Sequence, residues 1–124
     1  MELQKRKSPR IIGYDYSSPN HYFVTICTHE KRCIFGNPEN LNTFGKIVEN
    51  HVLQISEHYD GVMIDKYVVM PNHIHMIVIL NESSQSNLNQ IIAQYKSGVS
   101  RDIHKKDSKV IVWQRSYHDY IIRN

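Results

Sequence analysis

Hydrophobic and polar positions change period several times along the chain. From Tyr22 to Thr28, "YFVTICT" is aromatic and β-branched and is bounded by turn residues, which predicts a strand over 22–28. "HEKRCIFGNPEN" reads as a loop. Within 41–59, Phe44, Ile47, Val48, His51, Val52 and Ile55 recur at the three-and-four spacing of one helical face, with Asn42 or Thr43 as the N-cap. Strand composition returns over 61–70, and Pro71-Asn72 signals a turn before a strand over 73–80, so the two should form a hairpin. After the polar "NESSQSN", Leu88, Ile91, Ile92, Tyr95 and Val99 trace a second helical stripe, predicting a helix over 87–104 capped by Ser86 or Asn87. "KKDSK" is a loop, and "VIVWQRSYHDYIIRN" has room for one or two short strands. The order β-α-β-β-α-β is that of an α+β, ferredoxin-like fold, an antiparallel sheet with both helices packed on one face. Its other face is then open to ligands.

Size and composition fit this picture. The 124 residues suit one domain with a real core, and 40% hydrophobic with 22% charged residues is a globular composition. The longest apolar run, ending at Leu80, is well short of a membrane span, and no apolar stretch of signal-peptide type follows the basic N-terminus. The expectation is a cytoplasmic protein without membrane association. Cys27 and Cys33 lack zinc-ribbon spacing and read as reduced thiols, Cys27 as a core residue. The net charge of +3 is unevenly spread: residues 1–10 and 96–109 each carry +3, whereas 30–65 carry −3. Basic ends around an acidic middle suit a polyanion, although charge runs of this size are more often simply solvated.

The chemistry concentrates in "VVMPNHIHMIVIL", residues 68–80. Side chains alternate along a strand, so His73, His75, Ile77 and Ile79 share one face and Ile74, Met76, Val78 and Leu80 the other. The second set is continuously apolar and should meet the helices, which leaves both imidazoles on the uncovered face. Two histidines so placed can each give a nitrogen to one divalent ion, needing a further ligand and leaving positions for substrate. The plainer reading is a chance His-x-His on a half-exposed sheet, in a chain with eight histidines.

The stretch "VVMPNHIHMIV" resembles the His-hydrophobic-His (HUH) signature of IS200-like single-tyrosine HUH transposases, in particular their REP-associated branch. "GYDYSSPNHYFVTICT" resembles the family's opening strand, "IIAQYKSGVSRDIHK" its second helix with a Lys-Ser pair, and "VWQRSYHDYIIRN" the segment before its last helices. The likeness covers nearly the whole chain in order. It implies recognition of a hairpin in single-stranded DNA and attack by a tyrosine on a phosphodiester, giving a 5′-phosphotyrosine link and a free 3′-hydroxyl. A phenol of pKa about 10 is a weak nucleophile at neutral pH, and a divalent ion on the scissile phosphate offsets that. His73 and His75 are the implied catalytic, metal-holding residues, with Mg²⁺ or Mn²⁺ as the ion.

The resemblance places the attacking tyrosine, with a third metal ligand, on a helix beyond the position of Asn124, so the chain is expected to bind hairpin DNA or a divalent ion without cleaving. Tyr117 and Tyr120 match aromatic positions of the last strand and are not assigned that role. Tyr95, on the second helix's apolar stripe, reads as core. Lys96 and Ser97, matching the Lys-Ser pair, rank first as DNA contacts, followed by Arg101, Arg115 and the basic arm from Lys5 to Arg10. Trp113 is a candidate for stacking a base and equally for a structural anchor. A homodimer is a candidate assembly. Two other readings are weighed. A histidine-triad nucleotide hydrolase would want a third histidine where Ile77 stands, which counts against it. A non-catalytic hairpin-binding module would share the fold.

Overall fold

The computed structural model describes residues 2–5 and 20–123, the side chains of 2–5 and of Arg123 excepted. The elements are β1 (Glu2–Lys5), β2 (Asn20–Cys27), a short 3-10 turn (His29–Lys31), β3 (Gly36–Asn37), β4 (Asn40–Leu41), α1 (Thr43–His58), β5 (Val62–Met70), β6 (His73–Leu80), α2 (Leu88–His104) and β7 (His118–Arg123). The predicted β-α-β-β-α-β core is therefore β2, α1, β5, β6, α2 and β7. All its strand pairs are antiparallel, in the sheet order β1-β7-β2-β6-β5. Each helix carries the chain from one strand to the next-but-one position in the sheet, and the skipped position is filled by a strand from the other half of the fold.

Local chemistry sets the boundaries. Asn42, not Thr43, caps α1, accepting a hydrogen bond from Gly45 N at 2.9 Å. Asn87, not Ser86, caps α2 in a reciprocal box: its side chain accepts from Gln90 N at 2.9 Å, and Gln90 Oε1 accepts from Asn87 N at 3.1 Å. Gly61 turns the chain from α1 into β5 with φ +76°, a left-handed conformation that glycine adopts without Cβ strain. In edge strand β5 the register shifts between Ile64 and Lys66, a bulge at Asp65 that interrupts an otherwise nine-residue edge.

Alternation places the core. Tyr22, Val24 and Ile26 of β2 and Ile74, Met76, Val78 and Leu80 of β6 are buried in one cluster with Val48, Val52 and Ile55 of α1 and Leu88, Ile91, Ile92, Tyr95, Val99 and Ile103 of α2. Both helices thus cover a single sheet face. Burying these thirteen Val, Ile and Leu side chains, at roughly 1.5–3 kcal/mol each, is the main favourable term holding this face shut. His21, Phe23, Thr25 and Cys27 of β2, with His73, His75, Ile77 and Ile79 of β6, point to the other side and are half-buried or exposed.

Three expectations change. Cys27 is half-buried on the open face, directly across from His73, because it falls on the odd phase of β2. The loop over 29–40 contains the 3-10 turn and the β3–β4 hairpin. The basic arm begins as an edge strand, with Lys5 opposite Tyr120 of β7, while residues 6–19, including the remaining arm cations, lie outside the described residues.

Candidate functional site

Strand register assembles the site on the open face. Thr25 of β2 lies opposite His75 and Cys27 opposite His73, while on β6's other flank Val68 and Met70 of β5 face the same two histidines. The imidazoles stand side by side, ring centroids 4.6 Å apart and planes at 73°. Phe23 walls the site, its ring 5.1 Å from His75 and 6.1 Å from that of Tyr120.

Each histidine is held through Nδ1. Asn72 Oδ1 is 2.7 Å from His73 Nδ1, and Thr25 Oγ1 is 2.9 Å from His75 Nδ1. Both Nε2 atoms are left without a hydrogen bond among the described residues. Burial pulls both imidazole pKa values below the ordinary 6.5, and His73 lowers that of His75 further, which favours the neutral, ligating form. Two neutral imidazoles with their second nitrogen anchored have the donor character of a metal site. No group of three His, Cys, Asp or Glu side chains among the described residues is placed to hold one ion. The pair fits two ligand positions of a divalent cation, and the rest of the coordination sphere must come from elsewhere.

The tyrosines divide by face. Tyr22, Tyr95 and Tyr117 are buried. Tyr95 donates to Val48 O at 3.2 Å, as expected of a core residue, and Tyr117 to Asn89 Oδ1 at 2.5 Å. Tyr59 and Tyr67 bond helix residues, Gln94 and Glu49. Tyr120, opposite Phe23 and half-buried, shares the histidine face.

The other candidates lie on the helix side. Ser97 and Arg101 are exposed on α2, where Lys96, Ser97, Ser100, Arg101 and His104 line a concave basic surface beside Trp113. Lys96 Nζ donates to Gln114 O at 2.7 Å and to Arg115 O at 3.3 Å, so its charge fastens the loop leading into β7. Arg115 is exposed on that loop. Trp113 is 8% exposed, its ring packed 5.5 Å from Phe35 and 6.1 Å from Tyr95, with Nε1 donating to Lys96 O at 3.2 Å. It is packed as a core anchor, with a small exposed edge on that concave surface. The structure therefore gathers Lys96, Ser97 and Arg101 on α2, on the side of the sheet away from the histidines, with Arg115 on the adjoining loop. One connection exists at the end of β2: Gln114 N donates to Cys27 O at 3.0 Å, and Cys27 faces His73.

Sequence reasoning missed Asn72 and Thr25. Asn72 was visible as the residue next to His73 but read only as a turn former; Thr25 could be found only from the register. Asp119, buried with its pKa raised to about 7 by desolvation, was also missed, since β7's phase was not fixed.

With the geometry established, comparison with known proteins decides the family. The model of the family described as "Transposase IS200 like" matches residues 17–123. The chain belongs to the IS200-like transposase family. An uncharacterized protein of Haemophilus influenzae is 32% identical over 146 aligned positions, covering 98% of this chain and 81% of that relative. Among solved structures, a REP-associated tyrosine transposase bound to a REP hairpin superposes with TM-score 0.70 at 16% identity, over 93% of this chain. This chain spans 63% of the length of that transposase. A candidate transposase from Deinococcus radiodurans superposes with TM-score 0.68 at 14% identity, covering 93% of this chain and 86% of the other. At such identities the two superpositions show a shared IS200-like fold. No helix among the described residues is long and apolar enough to cross a membrane.

Proposed function

We propose that this transposase acts on hairpin-forming single-stranded DNA, with His73 and His75 holding a divalent cation, Mg²⁺ or Mn²⁺, against the scissile phosphate. The observation that carries the reading is the paired imidazoles: adjacent on the uncovered sheet face, each anchored at Nδ1, each with Nε2 turned away from its anchor. Such an ion supplies charge stabilisation to a phosphoryl group under attack by a phenolic oxygen. The chain's own part is to keep the two imidazoles neutral and oriented, with Phe23 shielding one side. The solved transposase with its REP hairpin supports DNA as the partner. Lys96, Ser97, Arg101 and Arg115 are proposed to contact the backbone, which would make affinity fall steeply with salt.

Tyr120 is the described tyrosine on the histidine face, but it packs against Phe23 as a cross-strand neighbour, and the nucleophile is proposed instead to be a tyrosine on a helix following β7, as the family resemblance implies. The test is incubation with single-stranded hairpin DNA and Mn²⁺, followed by denaturing electrophoresis. Residues 1–124 should retain the hairpin without a covalent adduct, and His73→Ala with His75→Ala should abolish Mn²⁺ binding while DNA retention persists. An adduct lost in Tyr120→Phe would move the nucleophile to Tyr120. Unchanged Mn²⁺ binding in the double variant would remove the metal role of the pair. A non-catalytic hairpin-binding module is the second reading, favoured by the lack of a third His, Cys, Asp or Glu ligand beside the pair among the described residues, and it predicts hairpin retention with no Mn²⁺ binding.

A further inference from the structure

We infer that Asn72 is a positioning residue which fixes the tautomer of His73, and that the left-handed turn at Glu30 and Lys31 fixes Asn72. The Asn72 amide is engaged at both ends: Nδ2 donates to Lys31 O at 3.2 Å, and Oδ1 lies 2.7 Å from His73 Nδ1. A carbonyl oxygen can only accept, so the end facing Lys31 must be the NH₂ group. The end facing His73 is then the amide oxygen, also an acceptor, and the proton between them must reside on Nδ1. The lone pair is forced onto Nε2, the outward nitrogen. Thr25 imposes no such direction on His75, since a hydroxyl both donates and accepts. Control of the proton's position is thus specific to His73.

The Lys31 carbonyl reaches Asn72 through an uncommon backbone. Glu30 has φ 53° and ψ 22°, and Lys31 φ 55°, two consecutive residues with a Cβ in the left-handed region. That conformation is disfavoured for residues with a Cβ and persists only where surrounding bonds hold it. The bonds are present: Lys31 N donates to Thr28 O at 3.1 Å, Arg32 N to His29 O at 3.2 Å, and the fully buried Thr28 hydroxyl to Arg32 O at 2.8 Å. Thr28 N also donates to Asn72 O at 3.0 Å, and Phe35 N to Pro71 O at 3.1 Å. The strained turn and the β5–β6 corner are clamped together, so the direction of one carbonyl is transmitted through one amide to one imidazole.

The tautomer is read directly by long-range ¹H–¹⁵N correlation on the histidine-labelled, metal-free chain at pH 8. His73 should be in the Nδ1–H form. Asn72→Ala should move it to a mixture or to the Nε2–H form, and Asn72→Asp, which keeps an acceptor at that place, should restore Nδ1–H. Wild-type His73 in the Nε2–H form, or a tautomer unmoved by Asn72→Ala in a folded chain, would overturn the inference. Lys31→Pro, with φ fixed near −65° and no N–H for Thr28 O, should break the left-handed turn and move the tautomer as Asn72→Ala does; an unmoved tautomer in a folded chain would overturn the role given to the turn. A second arm rests on the metal reading of the His pair: Mn²⁺ titration should show affinity weakened about 10–100-fold by Asn72→Ala. Absence of Mn²⁺ binding in the wild type would refute that reading, while the tautomer result would still decide the role of Asn72.

Discussion

Replacing Trp113 separates a core anchor from a base-stacking platform, the two roles its sequence position allows. The indole is 8% exposed, wedged between Phe35 and Tyr95, and its N–H donates to Lys96 O. Trp113→Ala removes the largest ring from that corner and should cost about 3–5 kcal/mol, with the lost hydrogen bond contributing about 1 kcal/mol of it. Against a total stability of about 5–15 kcal/mol this is enough to unfold a weakly stable chain, so Trp113→Phe is the companion variant. Phe keeps an aromatic surface against Phe35 and Tyr95 and loses the N–H donor, for about 1–2 kcal/mol. Trp113 is the single tryptophan, so urea unfolding is followed by far-UV circular dichroism, which does not depend on the deleted fluorophore. The base-stacking alternative predicts the reverse: stability within about 0.5 kcal/mol of wild type, and oligonucleotide affinity weakened by about 1–3 kcal/mol per base. That result would refute the anchor assignment.

Other expectations follow the same geometry. Lys96→Met should destabilise the chain by about 1–3 kcal/mol in urea unfolding without DNA present, since its ammonium bonds two loop carbonyls; unchanged stability would mean the charge serves only a ligand. Gly45→Ala, although it favours helix, should destabilise by about 1–3 kcal/mol, because a Cβ there would lie 2.2 Å from Phe35 O; a raised unfolding midpoint would show that the β3–β4 hairpin can move away. Asp119 has a folded pKa of about 7 against an ordinary 3.8, so the native state binds more protons between those values and loses stability as pH rises through 7. His73 and His75, lowered by burial, act oppositely, with their contribution lost as pH falls below 6.5. Asp119→Asn should therefore abolish the loss of stability between about pH 4 and pH 7 and keep the histidine-dependent loss at acid pH; a persisting decline on the rising limb would assign it to another group.

What was legible in the sequence was whatever a period can encode. The apolar stripe Leu88, Ile91, Ile92, Tyr95 and Val99 located α2 within one residue of its observed start, and the alternation over 73–80 placed both imidazoles on the face opposite the helices. Local chemistry beyond a period was less legible. Cys27 was read from composition as core, although its phase, two residues from Thr25, puts it on the open face. The partners of the histidines depend on register, which no single strand encodes: Thr25 meets His75 only because Asn20 pairs with Leu80 at the far end of the same ladder. The turn at Glu30 and Lys31 contains neither Gly nor Asn, the residues that usually signal a left-handed backbone, so its role left no trace in composition.

Placement of the basic residues constrains how one strand of DNA could serve both parts of the molecule. The histidines face one side of the sheet, while Ser97 and Arg101 are exposed on the other, so under the proposed function no straight segment touches both sets. A bridge is available round the end of β2, where the loop bearing Arg115 is fixed by Lys96 and, at the strand end, by the bond from Gln114 N to Cys27 O. Cys27 in turn stands opposite His73. A strand passing over Arg115 would reach the paired imidazoles at their Asn72 end, the end whose geometry the left-handed turn controls. Neutralising Arg115 should then weaken DNA retention and misplace the scissile phosphate together, whereas neutralising Arg101, farther along α2, should weaken retention alone. Arg115→Ala and Arg101→Ala, compared by salt-dependent binding and by Mn²⁺-dependent protection of the bound strand from chemical cleavage, distinguish the two. Equal protection patterns in both variants would refute a path round this end of the sheet.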